Sequence, residues 1–273
     1  LGAVGLGGAV LNLILVLFMG ISTGATIVVS QYFGAKDRER LSHAVGTTIM
    51  LTIISGIFMS VVGMLLSRPL LKLLGTSDAM IGLATDYLVI IMLGLVGNGL
   101  YNILSGVMRG LGDSTSPLIY LMVACFLNII LDLLFVAVFG MTTDGVAWAT
   151  IIAQAVSAVL VVHSLTLRED ATHLFYCKLR INPHIMLKLL HLGLPAGIQS
   201  ATFSLSGMLI QSSINSFGPV FMSGNAAAGN IEGFVYTSLN AFSQTTVNFV
   251  GQNVGAGQLD RVKRIVGICL ACV

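Results

Sequence analysis

The sequence predicts an all-α membrane protein, a polytopic helical bundle with about seven spans and the start of an eighth. Three observations carry this reading. Hydrophobic residues make up 56% of the 273 and charged residues 9%, at a mean hydropathy of +0.96; a water-soluble chain carries about a quarter charged residues. The few charges gather in short polar stretches between apolar runs, each long enough to cross hydrocarbon. One segment also recurs 221 residues downstream. Thirty-one glycines with only five prolines suit closely packed membrane helices better than a disordered chain.

In order, the apolar runs are 3–30, 44–66, 84–108, 117–139, 145–166, 190–216 and 223–250, and another starts near Ile265. The first is long enough for its last turn to emerge into water. The connections 31–43, 109–116, 167–189 and 255–264 alternate with 67–83, 140–144 and 217–222. The first set holds eleven of the thirteen Lys and Arg; the second holds only Arg68 and Lys72. Basic loops stay in the cytoplasm, so the first set lies inside a multi-pass protein of the plasma (inner) membrane. The run "AKDRER" (35–40) reads as a solvated cytoplasmic turn.

Other classes find little support. A net charge of +2, with its basic residues scattered, argues against nucleic acid as a partner. Cys125 lies in an apolar run, Cys177 in the polar linker, and the Cys269/Cys272 pair on an apolar stretch has no second Cys/His pair to make a zinc site. No cofactor is expected. An integral membrane enzyme would need clustered His, paired carboxylates or a Ser/Lys pair at one depth, and none is visible. The chain begins at Leu1 and no signal peptide is visible.

Set "STGATIVVSQYFGAKDRERLSHAVG" (22–46) over "SQTTVNFVGQNVGAGQLDRVKRIVG" (243–267). Ser22, Val29, Gln31, Gly34, Ala35, Arg40 and Gly46 recur as Ser243, Val250, Gln252, Gly255, Ala256, Arg261 and Gly267. Each copy is the end of a span, a Gly-Ala turn and a basic start to the next. The offset pairs the run at 190–216 with a helix expected ahead of Leu1, giving six helices per repeat and about four more after Val273. Six is even, so the halves would be parallel repeats about an axis along the membrane normal. The expected division is a first lobe at 1–166 lacking its first helix, a cytoplasmic linker at 167–189, and the start of a second lobe at 190–273.

"SGVMRGLGDSTSPL" (105–118), "LNIILD" (127–132), "GVAWATIIAQ" (145–154), "LGLPAGIQ" (192–199) and "VGQNVGAG" (250–257), in that order, resemble the multidrug and toxic compound extrusion (MATE) transporters. The resemblance is nearest to the bacterial subgroup with DNA-damage-inducible and multidrug-efflux members. It implies helices two through eight and the start of nine of a twelve-helix, two-lobe transporter, monomeric at full length. It also implies export of organic cations or drugs in exchange for Na⁺ or H⁺. Asn128, Asp132 and Thr150 match three residues of that family's cation site; a fourth, an Asp on the first helix, has no counterpart among these residues.

The spacing supports that site independently. Asn128 and Asp132 lie one turn apart on one helical face. Counted from the outer ends of adjacent antiparallel spans, Asp132 is roughly 10 Å deep and Thr150 roughly 9 Å. Such oxygens suit Na⁺ or a titrating carboxyl; the alternative is that they bridge helices as hydrogen-bond partners. Asn98, Tyr101 and Asn102 are candidates to line a substrate cavity or simply to pack. Gln199 and Glu232, with Asn230 and Asn240, are candidates for a cationic-ligand cavity in the second lobe. Pro195 is expected to bend its helix. The rival transport reading, a lipid-linked oligosaccharide flippase, would want a basic cavity, and no Lys or Arg lies mid-span. A nonfunctional fragment is the remaining alternative.

Overall fold

The computed structural model describes residues 20–73, 78–167, 180–215 and 219–273, and these are helical apart from short turns. Helix α1 covers 20–34; the rest of the first apolar run and Cys177 lie outside the described residues. Then follow α2 (Arg38–Leu73), α3 (Asp78–Leu93), α4 (Leu95–Gly110), α5 (Thr115–Leu133) and α6 (Thr143–Leu167). The second half supplies α7 (Pro183–Asn215), α8 (Pro219–Gly255) and α9 (Leu259–Cys272).

Helix α4 sits at the centre: Leu95, Gly99, Gly110 and every residue from Ile103 to Met108 are buried. Against it pack Ala25, Val28 and Val29 of α1, Leu41, Ala44 and Val45 of α2, and Val161 and Leu165 of α6. Glycine sets the spacing to α1. A Cβ on Gly106 would lie 2.5 Å from Thr26 Oγ1, and one on Gly110 would lie 2.9 Å from Ser30 Oγ. Helices α2, α5 and α6 are each long and apolar enough to cross a membrane, and α3 with α4 makes a fourth such unit if read as one bent span.

Two expectations need correction. The run 84–108 is not one straight helix: α3 and α4 meet at a 49° bend at Gly94. The Ile151 side chain of α6 fills that corner, and a Cβ on Gly94 would sit 2.5 Å from its Cγ1. The linker 167–189 is already helical from Pro183. Asn182 caps this start, its Oδ1 accepting from the N–H of His184 at 3.1 Å and Ile185 at 3.4 Å, with Pro at the first helical position. Buried Ile185 and Leu189 then hold the new turns on the core. Pro195, the residue expected to bend its helix, lies inside α7.

The repeated segment folds alike twice. In the first copy Ala35, Lys36 and Asp37 donate backbone N–H groups to Gln31, Phe33 and Tyr32; in the second, Ala256, Gly257 and Gln258 donate to Gln252, Val254 and Asn253. Every donor and acceptor is shifted by 221 residues. Lys36 (φ 57°) and Gly257 (φ 71°) are the left-handed residues that turn the chain. The ends of α1, α4 and α8 meet at one end of the molecule, where Gln252 reaches Gly110. That is where the alternation of basic loops requires them to be.

Candidate functional site

Helix α5 is two-faced. Ala124, Leu127, Asn128, Leu131, Asp132 and Phe135 form a continuous buried or half-buried stripe, while Phe126, Ile129, Ile130 and Leu133 are exposed. The i, i+3, i+4 spacing of this stripe turns both polar residues toward the protein and away from the lipid-facing side. Asn128 Nδ2 and Asp132 Oδ1 are shut off from solvent and have no hydrogen-bond partner among the described residues. For an intramembrane carboxylate this is an expensive arrangement, of the kind that marks function.

One residue beyond Asp132, α5 passes into a π-helical turn, Leu134–Val138. Single π turns recur at functional sites, and no residue in "LFVAV" announces this one. The turn brings Phe135 against the first turn of α6, where a Cβ on Gly145 would be 3.1 Å from the Phe135 Cβ. From that contact Asp132 lies about 4.5 Å along α5 and Thr150 about 7.5 Å along α6, both in the inward direction, so the two occupy neighbouring levels. The Thr150 hydroxyl is itself donated to Val146 O at 2.9 Å. Its lone pairs remain to accept a proton or face an ion.

Tyr87, which the sequence reading did not single out, stands on α3, buried beside Ala147 of α6. Asn98 and Asn102, a turn apart on α4, are joined: Asn102 Nδ2 donates to the Asn98 side-chain oxygen, and to its carbonyl at 2.9 Å. Ser22 of α1 donates to Asn102 O at 3.2 Å. Tyr101 points elsewhere, its hydroxyl donating to Pro117 O at 3.1 Å where α5 begins. Asn98 and Asn102 thus form a polar pair on the central helix, and Tyr101 ties α4 to α5.

The second-lobe candidates do not converge. Gln199 and Glu232 are exposed and make no hydrogen bond or ion pair among the described residues, Asn240 is exposed, and the side chain of Asn230 lies outside those described. No group of three or more His, Cys, Asp or Glu able to hold a metal occurs among the described residues. Cys125, Cys269 and Cys272 are free.

A helical membrane bundle with an internal repeat and a shielded acid on the inward face of one helix is built as a secondary transporter is built. The MatE family model matches residues 1–134 and 195–273, and the chain belongs to this multidrug and toxic compound extrusion family, whose members are plasma-membrane transporters and not enzymes. It is 30% identical over 272 residues to the probable multidrug resistance protein YpnP of Bacillus subtilis (strain 168), covering 96% of this chain and 58% of that one. It is 29% identical over 259 residues to YoeA of the same organism, also a probable multidrug resistance protein, covering 92% and 56%. The crystal structure of the Vibrio cholerae MATE transporter VcmN superposes with a TM-score of 0.90 at 25% identity, covering 97% of this chain and 60% of that one. The chain therefore spans a little over half the length of these relatives.

Proposed function

We propose that this chain carries the coupling site of a secondary active exporter that moves organic cations or drugs outward in exchange for Na⁺ or H⁺. The observation that carries the reading is a pair of solvent-shielded atoms on one face of α5, Asp132 Oδ1 and Asn128 Nδ2, that have no partner among the described residues. A carboxylate held there without a donor is destabilised by the lost hydration. A proton or a Na⁺ arriving from outside removes that penalty, with Asn128 and Thr150 supplying further oxygens. Because the charged and neutralised forms suit different packings of α5 against α6, the ion binds two conformations unequally, which is the requirement for coupling. Two relatives described as probable multidrug resistance proteins support this choice of cargo, as does a sequence with no Lys or Arg in the middle of its apolar runs.

The test is flux of a cationic dye by the intact protein in proteoliposomes, with a Na⁺ or a pH gradient imposed alone. Asp132→Asn, which keeps the shape and removes the titrating charge, should abolish gradient-driven flux. Undiminished, gradient-dependent flux in that variant would refute the assignment.

A further inference from the structure

We propose that the crossing of α1 and α8 is the cytoplasmic gate of this transporter and that Gln252 is its latch; the inference rests on the transport reading above and names the part that must move. The two copies of the repeat meet there backbone to backbone. A Cβ on Gly34 would sit 1.9 Å from the carbonyl oxygen of Gln252, and a Cβ on Gly255 would sit 1.9 Å from that of Gln31. Each contact is the other shifted by 221 residues, so the crossing is reciprocal about the axis that relates the repeats. One turn earlier on α8, a Cβ on Gly251 would be 2.8 Å from the Ser30 Cβ.

Glycines alone would give a close fit and no more. A side-chain bond across the crossing makes it a latch. Gln252 Nε2 donates to the Gly110 carbonyl at 2.9 Å, and Ser30 Oγ reaches the same oxygen at 3.4 Å. Gly110 ends α4, where helical carbonyls lack partners within the helix. The amide of the second half thus closes the end of the helix that carries Asn98 and Asn102 in the first. Alongside, α1 also abuts α7. A Cβ on Gly20 would be 2.5 Å from Gly197 Cα, and one on Gly24 would be 2.6 Å from Leu189 O. These contacts shut the end that the basic loops place in the cytoplasm. Packing contacts of this kind fall away within an ångström or so of separation, so the crossing is either made or broken. A carrier that exposes its site to both sides in turn has to break it.

The intact protein in lipid nanodiscs, spin-labelled at the exposed positions Lys36 and Gln258 just beyond the two helix ends, reports the separation directly. Gln252→Leu keeps the bulk and deletes the donor; it should shift the distance distribution toward a longer, inward-open population. Gln252→Glu should shift it further, because a carboxylate would face the Gly110 carbonyl. Gly34→Ala should open the crossing by force, since its methyl needs about 1.5 Å more clearance. An unchanged distribution in the two Gln252 variants overturns the proposal. Should those variants fold poorly, Lys36→Cys with Gln258→Cys, on a background without the native cysteines, gives a second reading. Bridging the pair with a reducible bifunctional thiol reagent should stop dye flux and reduction should restore it; undiminished flux while bridged also overturns the gate. The distance measurement needs no substrate. If the reduced protein moves no dye although the latch variants still open, the transport reading fails and the gate stands.

Discussion

Residues 22–46 and 243–267 fold into the same helix, left-handed turn and helix start, with hydrogen bonds in one register, but they live in different surroundings. In the first copy Leu41, Ala44 and Val45 of α2 are buried in the core formed with α4 and α7. Their counterparts on α9 are Val262, Ile265 and Val266, an apolar stripe of the same spacing that remains half-buried or exposed. The comparison separates two contributions. Backbone geometry at the turn is local and follows from the Gln-x-x-Gly-Ala pattern alone. Burial comes from neighbours, and among the described residues only the first copy has them. A hydrophobic stripe records that a face is made to be covered; it does not record what covers it.

The sharpest way to break the comparison uses one residue type at two equivalent positions. Val45 is 2% exposed and Val266 is 37% exposed. Val45→Asp places an unpaired charge in the core and should cost more than about 3 kcal/mol, enough to prevent recovery of folded protein from detergent. Val266→Asp should cost less in this chain, because no other described residue encloses that side chain. Thermal unfolding in the same detergent measures both. Equal losses would mean that the α9 stripe is covered after all and that the two copies do not differ as described.

A smaller effect sharpens the same contrast at the next turn. Thr47 of α2 donates to Arg180 O at 3.3 Å and accepts from the N–H of Asn182 at 3.1 Å, tying the start of α7 to the first lobe. Its counterpart Ile268 is 54% exposed and makes no such tie. Thr47→Ala should therefore lower stability by about 1–2 kcal/mol. The same loss should raise amide exchange at Asn182 and Ile185. Ile268→Ala should leave both measurements near the parent values.

What the sequence disclosed follows the same division between local and tertiary causes. The helical class, the alternation of basic loops, the repeat and the pairing of Asn128 with Asp132 on one face are properties of spacing along one element, and they are visible as spacing. The 49° bend at Gly94 depends on Ile151 filling a corner from another helix, so the glycine is visible and the bend is not. The π turn after Asp132 lies in a uniformly apolar run with nothing to mark it. Tyr87 reaches the start of α6 only because α3 packs on α6 with a particular rotation, which no pattern within "ATDYLVI" fixes. The helix start at Asn182–Pro183 carries a cap signal, an Asn before a Pro before an apolar repeat, which the polar linker around it masks.

The smallest predicted effect tests whether the turns are as alike as their hydrogen bonds. Both chains turn through a left-handed residue, Lys36 at φ 57° in the first copy and Gly257 at φ 71° in the second. A side chain with a Cβ is penalised there by about 1 kcal/mol, whereas glycine is not. Lys36→Gly should therefore stabilise the first turn, by less than that figure because glycine also gains freedom in the unfolded chain. Gly257→Lys should destabilise the second turn by about 1 kcal/mol. Opposite signs at equivalent positions, read from unfolding midpoints in one detergent, are what a shared backbone requires. If both substitutions destabilise, then Lys36 is held by contacts that have no counterpart in the second copy, and the likeness of the two turns ends at the hydrogen bonds.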